Sequence, residues 1–175
     1  VSKEAFNIDG FGKKIVENFW KLNLIKFPQD IFNLNYNEIK KLDGWGKLSV
    51  ENLKYSINEK KKISLEKFIY SLGIRHIGLE NAKLLAKHFE TFLNFKDLSK
   101  SKKYLDLLNI DGIGETQVNS IQNFFSNKKN IDVVDKLAKI LTISNSLSHR
   151  KNGLLKGKTF LVTGKLNGVS RAEIK

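Results

Sequence analysis

The sequence predicts an all-α domain of four tandem helix–tight turn–helix units, followed by a truncated α/β segment. Three observations predict it. Four short turns share one pattern of apolar residue, polar residue, turn residue, apolar residue and Gly: Ile8–Gly12, Leu42–Gly46, Ile74–Gly78 and Ile110–Gly114. They begin at intervals of 34, 32 and 36 residues, the spacing of one supersecondary unit used four times. Apolar residues at helical spacing follow each turn, and this periodicity stops at Ser144.

The elements follow in order. After Gly12, Ile15 and Phe19 lie four apart, as do Val16 and Trp20, forming a helical apolar stripe. Asn35 to Lys41 reads as a short helix entering the second turn. After Gly46, Val50, Leu53 and Ile57 keep the spacing, and Lys60-Lys61-Lys62 closes that helix with cations suited to a helix C-terminus. Ser64 opens the next helix, which carries Leu65, Phe68, Ile69 and Leu72, with Lys67 where a capping box favours Glu. Leu79, Ala82, Leu85, Ala86 and Phe89 mark the helix after the third turn. Tyr104 to Leu108 leads into the fourth, and Val118, Ile121 and Phe125 follow it on one face. Ile131 to Ile143 reads as a last amphipathic helix, with Val134, Leu137, Ala138 and Leu141 inward. Residues 1–143 are therefore expected to be all-helical, with units packed in pairs because one alone buries too little.

Residues 144–155 are polar and non-periodic and read as a linker. Thr159 to Thr163 is β-branched and aromatic and ends at Gly164, a strand pattern. Ser170-Arg171-Ala172-Glu173 carries the capping-box spacing of a new helix. Residues 156–175 are thus expected to open a second, truncated domain. The chain starts at Val1 and contains no Met, so it is expected to be a piece of a longer protein.

The turns make an anion-binding device from backbone alone. A turn glycine takes positive φ and lets the main chain approach a ligand closely. The second glycine opens a helix whose first N–H groups lack intrahelical partners, and the dipole there favours a phosphate. The candidate nucleic-acid contacts are Gly10, Phe11, Gly12, Lys13 and Lys14, then Gly44, Trp45, Gly46 and Lys47, then Arg75, His76 and Gly78, then Gly112, Ile113, Gly114 and Thr116. The apolar turn residues are expected chiefly to anchor the turns in the core, with Trp45 alternatively standing half-exposed beside a sugar. His76 replaces the turn glycine of the other units. Its side chain and that of Arg75 offer phosphate contacts, the alternative being a purely structural turn. Glu115 opposes a phosphate at the fourth turn, so the four are expected to contribute unequally. Amides that hold phosphates carry no sequence information.

Composition narrows the classes. The net charge of +13 and pI near 9.8 call for an acidic partner. Residues 151–175 carry six Lys/Arg and one acidic residue, leaving +8 on residues 1–150. There is no Cys, which excludes disulfides and Cys-ligated zinc within the chain and is compatible with a cytoplasmic setting. No apolar run approaches the ~20 residues of a membrane span, so no membrane partner is expected. His76, His88 and His149 lack metal-ligand spacing, and no metal or catalytic residue is assigned. Lys41-Leu42-Asp43-Gly44 matches the Lys-x-Asp-Gly signature of covalent nucleotidyl transfer. The Asp-Gly recurs at Asp9-Gly10 and Asp111-Gly112 behind Asn7 and Asn109, so it belongs to the turn and Lys41 is incidental.

Residues 2 to about 143 resemble the helix-hairpin-helix domain of bacterial NAD-dependent DNA ligases. The most specific stretches are Ser2-Lys3-Glu4-Ala5-Phe6-Asn7-Ile8-Asp9-Gly10-Phe11-Gly12-Lys13-Lys14 and Ser71-Leu72-Gly73-Ile74-Arg75-His76-Ile77-Gly78. Residues 156–175, with Gly157-Lys158-Thr159-Phe160-Leu161-Val162-Thr163-Gly164, resemble the start of the BRCT domain of the same enzymes, where Thr163 and Gly164 would line a phosphate pocket. The resemblance implies four helix-hairpin-helix motifs gripping the minor groove of nicked double-stranded DNA. It implies a cytoplasmic, nucleoid-associated parent enzyme that seals nicks in replication and repair. NAD, Mg²⁺ and a structural zinc would be handled by adenylation and zinc domains upstream of residue 1. Two other readings are a non-enzymatic binder of DNA structures and a scaffold whose hairpins do not touch DNA.

Overall fold

The computed structural model describes residues 2–146. The expected Thr159–Thr163 strand, the Ser170 capping box, the pocket residues Thr163 and Gly164, and most of the 144–155 linker lie outside them. The elements run α1 (Lys13–Lys21), a 3-10 helix (Pro28–Asn33), α2 (Tyr36–Ile39), α3 (Lys47–Glu59), β1 (Lys62–Ser64) and α4 (Leu65–Ser71). There follow α5 (Leu79–Phe89), α6 (Phe92–Ser101), a second 3-10 helix (Tyr104–Asn109), α7 (Glu115–Ser126), α8 (Lys128–Ile140) and β2 (Thr142–Ser144).

The helical spacing translates directly into buried faces. Val50, Leu53 and Ile57 of α3 are buried, as are Ala82, Leu85, Ala86 and Phe89 of α5 and Val118, Ile121 and Phe125 of α7. Local chemistry sets the breaks. Asn35 Oδ1 accepts from the Asn37 amide at 3.2 Å to cap α2, and Thr91 Oγ1 accepts from the Asn94 amide at 3.2 Å to cap α6. Asp30 Oδ2 accepts from the Lys26 and Phe27 amides at 2.9 and 2.8 Å, fixing the first 3-10 helix. After α1, Asn23 takes φ +57°, a conformation Asn tolerates.

Two expectations change. The domain is not all-helical: Lys62–Ser64 and Thr142–Ser144 pair in parallel, with Ile63 opposite Ile143. The last helix therefore ends at Ile140 instead of continuing to Ile143, and Ser144 belongs to β2 instead of the linker. The physical reason is that β-branched Thr142 and Ile143 find a strand partner, and tertiary pairing overrides a helical spacing pattern. Trp20, assigned to the inward stripe of α1, is 62% exposed, while Phe19 beside it is fully buried.

The core has two parts. The first gathers Phe6, Phe11, Phe19, Phe32, Ile39, Leu53, Ile57 and Phe68, closed by Val134 and Leu137 of α8 and by its C-cap Leu141. The second gathers Ile74, Ile77, Leu85, Phe95, Leu107, Ile113, Ile121 and Phe125. Helix α4 joins them, sending Phe68 into the first and Leu65 and Ile69 into the second. The first two hairpins thus sit on one core and the last two on the other. Among the described residues no helix is long and apolar enough to cross a membrane.

Candidate nucleic-acid interface

All four turns have the same backbone. The amide of the fourth residue donates to the carbonyl of the first: Phe11 to Ile8 at 3.1 Å, Trp45 to Leu42 at 3.1 Å, Ile77 to Ile74 at 3.0 Å and Ile113 to Ile110 at 3.0 Å. The third residue is left-handed in each, with φ +73° at Gly10, +80° at Gly44, +61° at His76 and +88° at Gly112. A left-handed third residue under this hydrogen bond is the type II turn, which favours Gly at that place. His76 therefore keeps the turn geometry without the glycine. Its carbonyl accepts from Asn81 Nδ2 at 3.0 Å, which ties the turn to α5.

The fifth residue of each turn is the N-cap of a helix: Gly12 of α1, Gly46 of α3, Gly78 of α5 and Gly114 of α7. The first three have ordinary extended φ of −78°, −81° and −77°. A Cβ added at any of the three would meet no neighbouring atom within 4 Å. The fold itself therefore sets no requirement for glycine there. Ser, Thr, Asp or Asn is the usual N-cap, and glycine leaves the first N–H groups without a side-chain acceptor. Among the described residues, the amides of Gly12, Lys13 and Lys14 donate to no protein acceptor, nor do those of Gly46, Lys47 and Leu48. The amides of Gly78, Leu79 and Glu80 likewise donate to no protein acceptor, so unspent donors stand at the positive ends of α1, α3 and α5.

The other turns differ. At the third, the first turn of α5 carries Glu80, which pairs with Lys83 at 2.7 Å on the surface. At the fourth, the Gly114 amide donates to Gln117 Oε1 at 3.2 Å, and Glu115 opens α7. That hairpin caps itself and presents a carboxylate. The sequence reading passed over Gln117, although its place three residues after an N-cap is the capping-box position. The first turns of α1 and α3 contain no acidic residue and begin with exposed Lys13, Lys14 and Lys47. Lys13 makes only a loose surface pair with Glu17 at 3.8 Å, of little energetic weight.

Phe11 and Ile113, counted among the candidate contacts, are anchors. Their side chains are buried and their amides are already spent inside the turns. Trp45 is half-buried, its ring centroid 5.4 Å from that of Phe19, which is in turn 5.7 Å from Phe11. One ring of α1 thereby braces both the first and the second hairpin. Leu84 of α5 lies against the fourth hairpin, since a Cβ on Gly112 would stand 2.9 Å from its Cδ1. Arg75, His76, Gly78, Gly112 and Thr116 are exposed at their hairpins. Burial raises the phenol pKa values of Tyr36 and Tyr104 above the usual range, and both lie outside the hairpin turns. Among the described residues no group of three or more His, Cys, Asp or Glu side chains converges on a metal position.

The helix-hairpin-helix motif family matches residues 67–134, which hold the third and fourth hairpins. Along its whole length the chain is 65% identical to a DNA ligase of Pelagibacter ubique (strain HTCC1062), covering 26% of that protein. It is 43% identical to a DNA ligase of Rickettsia canadensis (strain McKiel) and 42% identical to one of Rickettsia bellii (strain OSU 85-389), in each case over the whole chain and 27% of the relative. The chain thus spans about a quarter of the length of the curated relatives it matches. Similarity of this degree along the whole chain, joined to the helix-hairpin-helix match, fits a C-terminal fragment of a bacterial DNA ligase.

Proposed function

We propose that this chain is the DNA-gripping portion of an NAD-dependent ligase that seals nicks in duplex DNA. It holds the phosphodiester backbone in the minor groove through its hairpin amides and reads no base sequence. The observation that carries this is the set of N-cap glycines at Gly12, Gly46 and Gly78, which the fold leaves free to be any residue. Close approach of another backbone, such as a phosphate strand, is what gives glycine its advantage there. The first two hairpins carry most of the contact, with Lys13, Lys14 and Lys47 alongside. The fourth contributes least, because Gln117 takes its leading amide and Glu115 repels phosphate.

In this reading, transfer of AMP from NAD, Mg²⁺ binding and the structural zinc belong to adenylation and zinc domains of the same polypeptide. Residues 156–175 open a BRCT domain with Thr163 and Gly164 at its phosphate pocket, and the parent acts in replication and repair at the cytoplasmic nucleoid. The test is fluorescence anisotropy on nicked and intact duplexes of two unrelated sequences over a range of salt. The expected result is equal affinity for the two sequences, with log K falling linearly against log salt. Salt-insensitive binding, or a strong preference between sequences, would contradict it.

A further inference from the structure

A second concentration of positive charge lies beside the stem of the first hairpin. The turn at Lys3–Asn7, where the Ser2 carbonyl accepts from the Ala5 and Asn7 amides at 3.0 and 3.1 Å, faces the joint where α3 ends and β1 leads into α4. Between them is a cleft of about 370 Å³ lined by four lysines, Lys3, Lys60, Lys62 and Lys67, and one carboxylate, Glu59. None of these lysines forms an ion pair among the described residues, where the pairs are Lys13–Glu17, Lys83–Glu80, Lys96–Asp135 and Lys136–Asp132.

The fold explains this gathering only in part. Lys60 is the C-cap of α3, a position that favours a cation. Lys62 is turned away from the core because strand alternation buries Ile63. Lys67 stands in the first turn of α4, where the helix dipole disfavours a positive charge, and Lys3 comes from a separate segment. Four lysines against one carboxylate leave the lining net positive, which focuses a positive field into the concavity. We propose that this cleft is a second phosphate seat, taking backbone phosphates of the strand that the first hairpin holds. The inference rests on the DNA-gripping reading above. Asn7 lines the cleft, and Gly10 follows three residues later. Three Cα steps limit their separation to ~11 Å, and phosphates recur about every 3.4 Å of axis along one strand. A strand seated on the first hairpin therefore passes within a few phosphates of the cleft. A free polyphosphate shares the same chemistry.

The test compares the wild-type chain with a variant carrying Lys3→Gln, Lys60→Gln, Lys62→Gln and Lys67→Gln. A control carries Gln at Lys87, Lys100, Lys129 and Lys139, exposed lysines outside the hairpins and the cleft. The duplex salt slope of the cleft variant is expected to fall by about two to four, at about 0.9 for each phosphate no longer neutralised, with the control unchanged. That outcome supports a nucleic-acid strand as the source. An unchanged slope, with tripolyphosphate raising the Tm of the wild type but not of the cleft variant, supports a phosphate seat filled by a free polyphosphate. Neither effect, or an equal fall of slope in the control, overturns the proposal. Failure of the wild type to bind any duplex would instead overturn the DNA-gripping reading, and the tripolyphosphate arm then decides the cleft alone.

Discussion

The double substitution Gly12→Asp and Gly46→Asp is expected to weaken duplex binding about a hundredfold while leaving the thermal midpoint unchanged or slightly raised. Both glycines have extended backbone that Asp adopts readily, and both face open space. Asp is also among the best N-cap residues, so stability is expected to change by only a few tenths of a kcal/mol, in the favourable direction. Binding suffers twice. The carboxylate takes the amides that a phosphate would use, and it places a like charge at the same spot. About 1.4 kcal/mol at each hairpin amounts to tenfold per site. Circular dichroism melts and fluorescence anisotropy measure the two quantities separately. Reduced stability would mean that the glycines serve the fold, and unchanged affinity would mean that no phosphate sits at these helix starts.

Phe19→Ala is expected to destabilise the chain by about 3–5 kcal/mol in urea titrations, the usual cost of emptying a buried aromatic site. Phe19 is fully buried and its ring meets those of Phe11 and Trp45 at 5.7 and 5.4 Å. Edge and tilted ring pairs add to the burial term. The loss falls on the core that carries the first two hairpins, so duplex affinity is expected to drop with it. The second core shares none of these three rings, so α5 and α7 are expected to unfold later in the same titration. A cost below about 1 kcal/mol would show that Phe19 does not brace the hairpin pair.

The hairpins were legible because a type II turn is a local object. Its glycine, its anchoring apolar residues and the N-cap that follows fall within five consecutive positions, and the following helix announces itself by spacing. The same locality carried the buried faces of α3, α5 and α7. What escaped was non-local. The pairing of Lys62–Ser64 with Thr142–Ser144 joins segments 80 residues apart, and three residues are too few to alternate visibly. Trp20 and Phe19 are equally apolar, and only the placement of the second hairpin decides which of them is buried. The four-lysine cleft is assembled from two segments more than 50 residues apart, Lys3–Asn7 and Glu59–Lys67, and in the sequence Lys60 to Lys62 reads merely as the end of a helix. Gln117 was readable, yet a capping box led by Gly is less conspicuous than one led by Ser or Thr.

The central claim is that hairpin amides hold phosphates without reading sequence, and the most direct measurement follows those amides by NMR. An isotopically labelled chain is titrated with nicked duplexes of two unrelated sequences. The account predicts the largest amide shifts at Gly12, Lys13, Gly46 and Lys47, smaller ones at Gly78 and the smallest at Gly114, with the same order and the same apparent affinity for both duplexes. Unmoved glycine amides, with the shifts gathered on surfaces away from the hairpins, would contradict it.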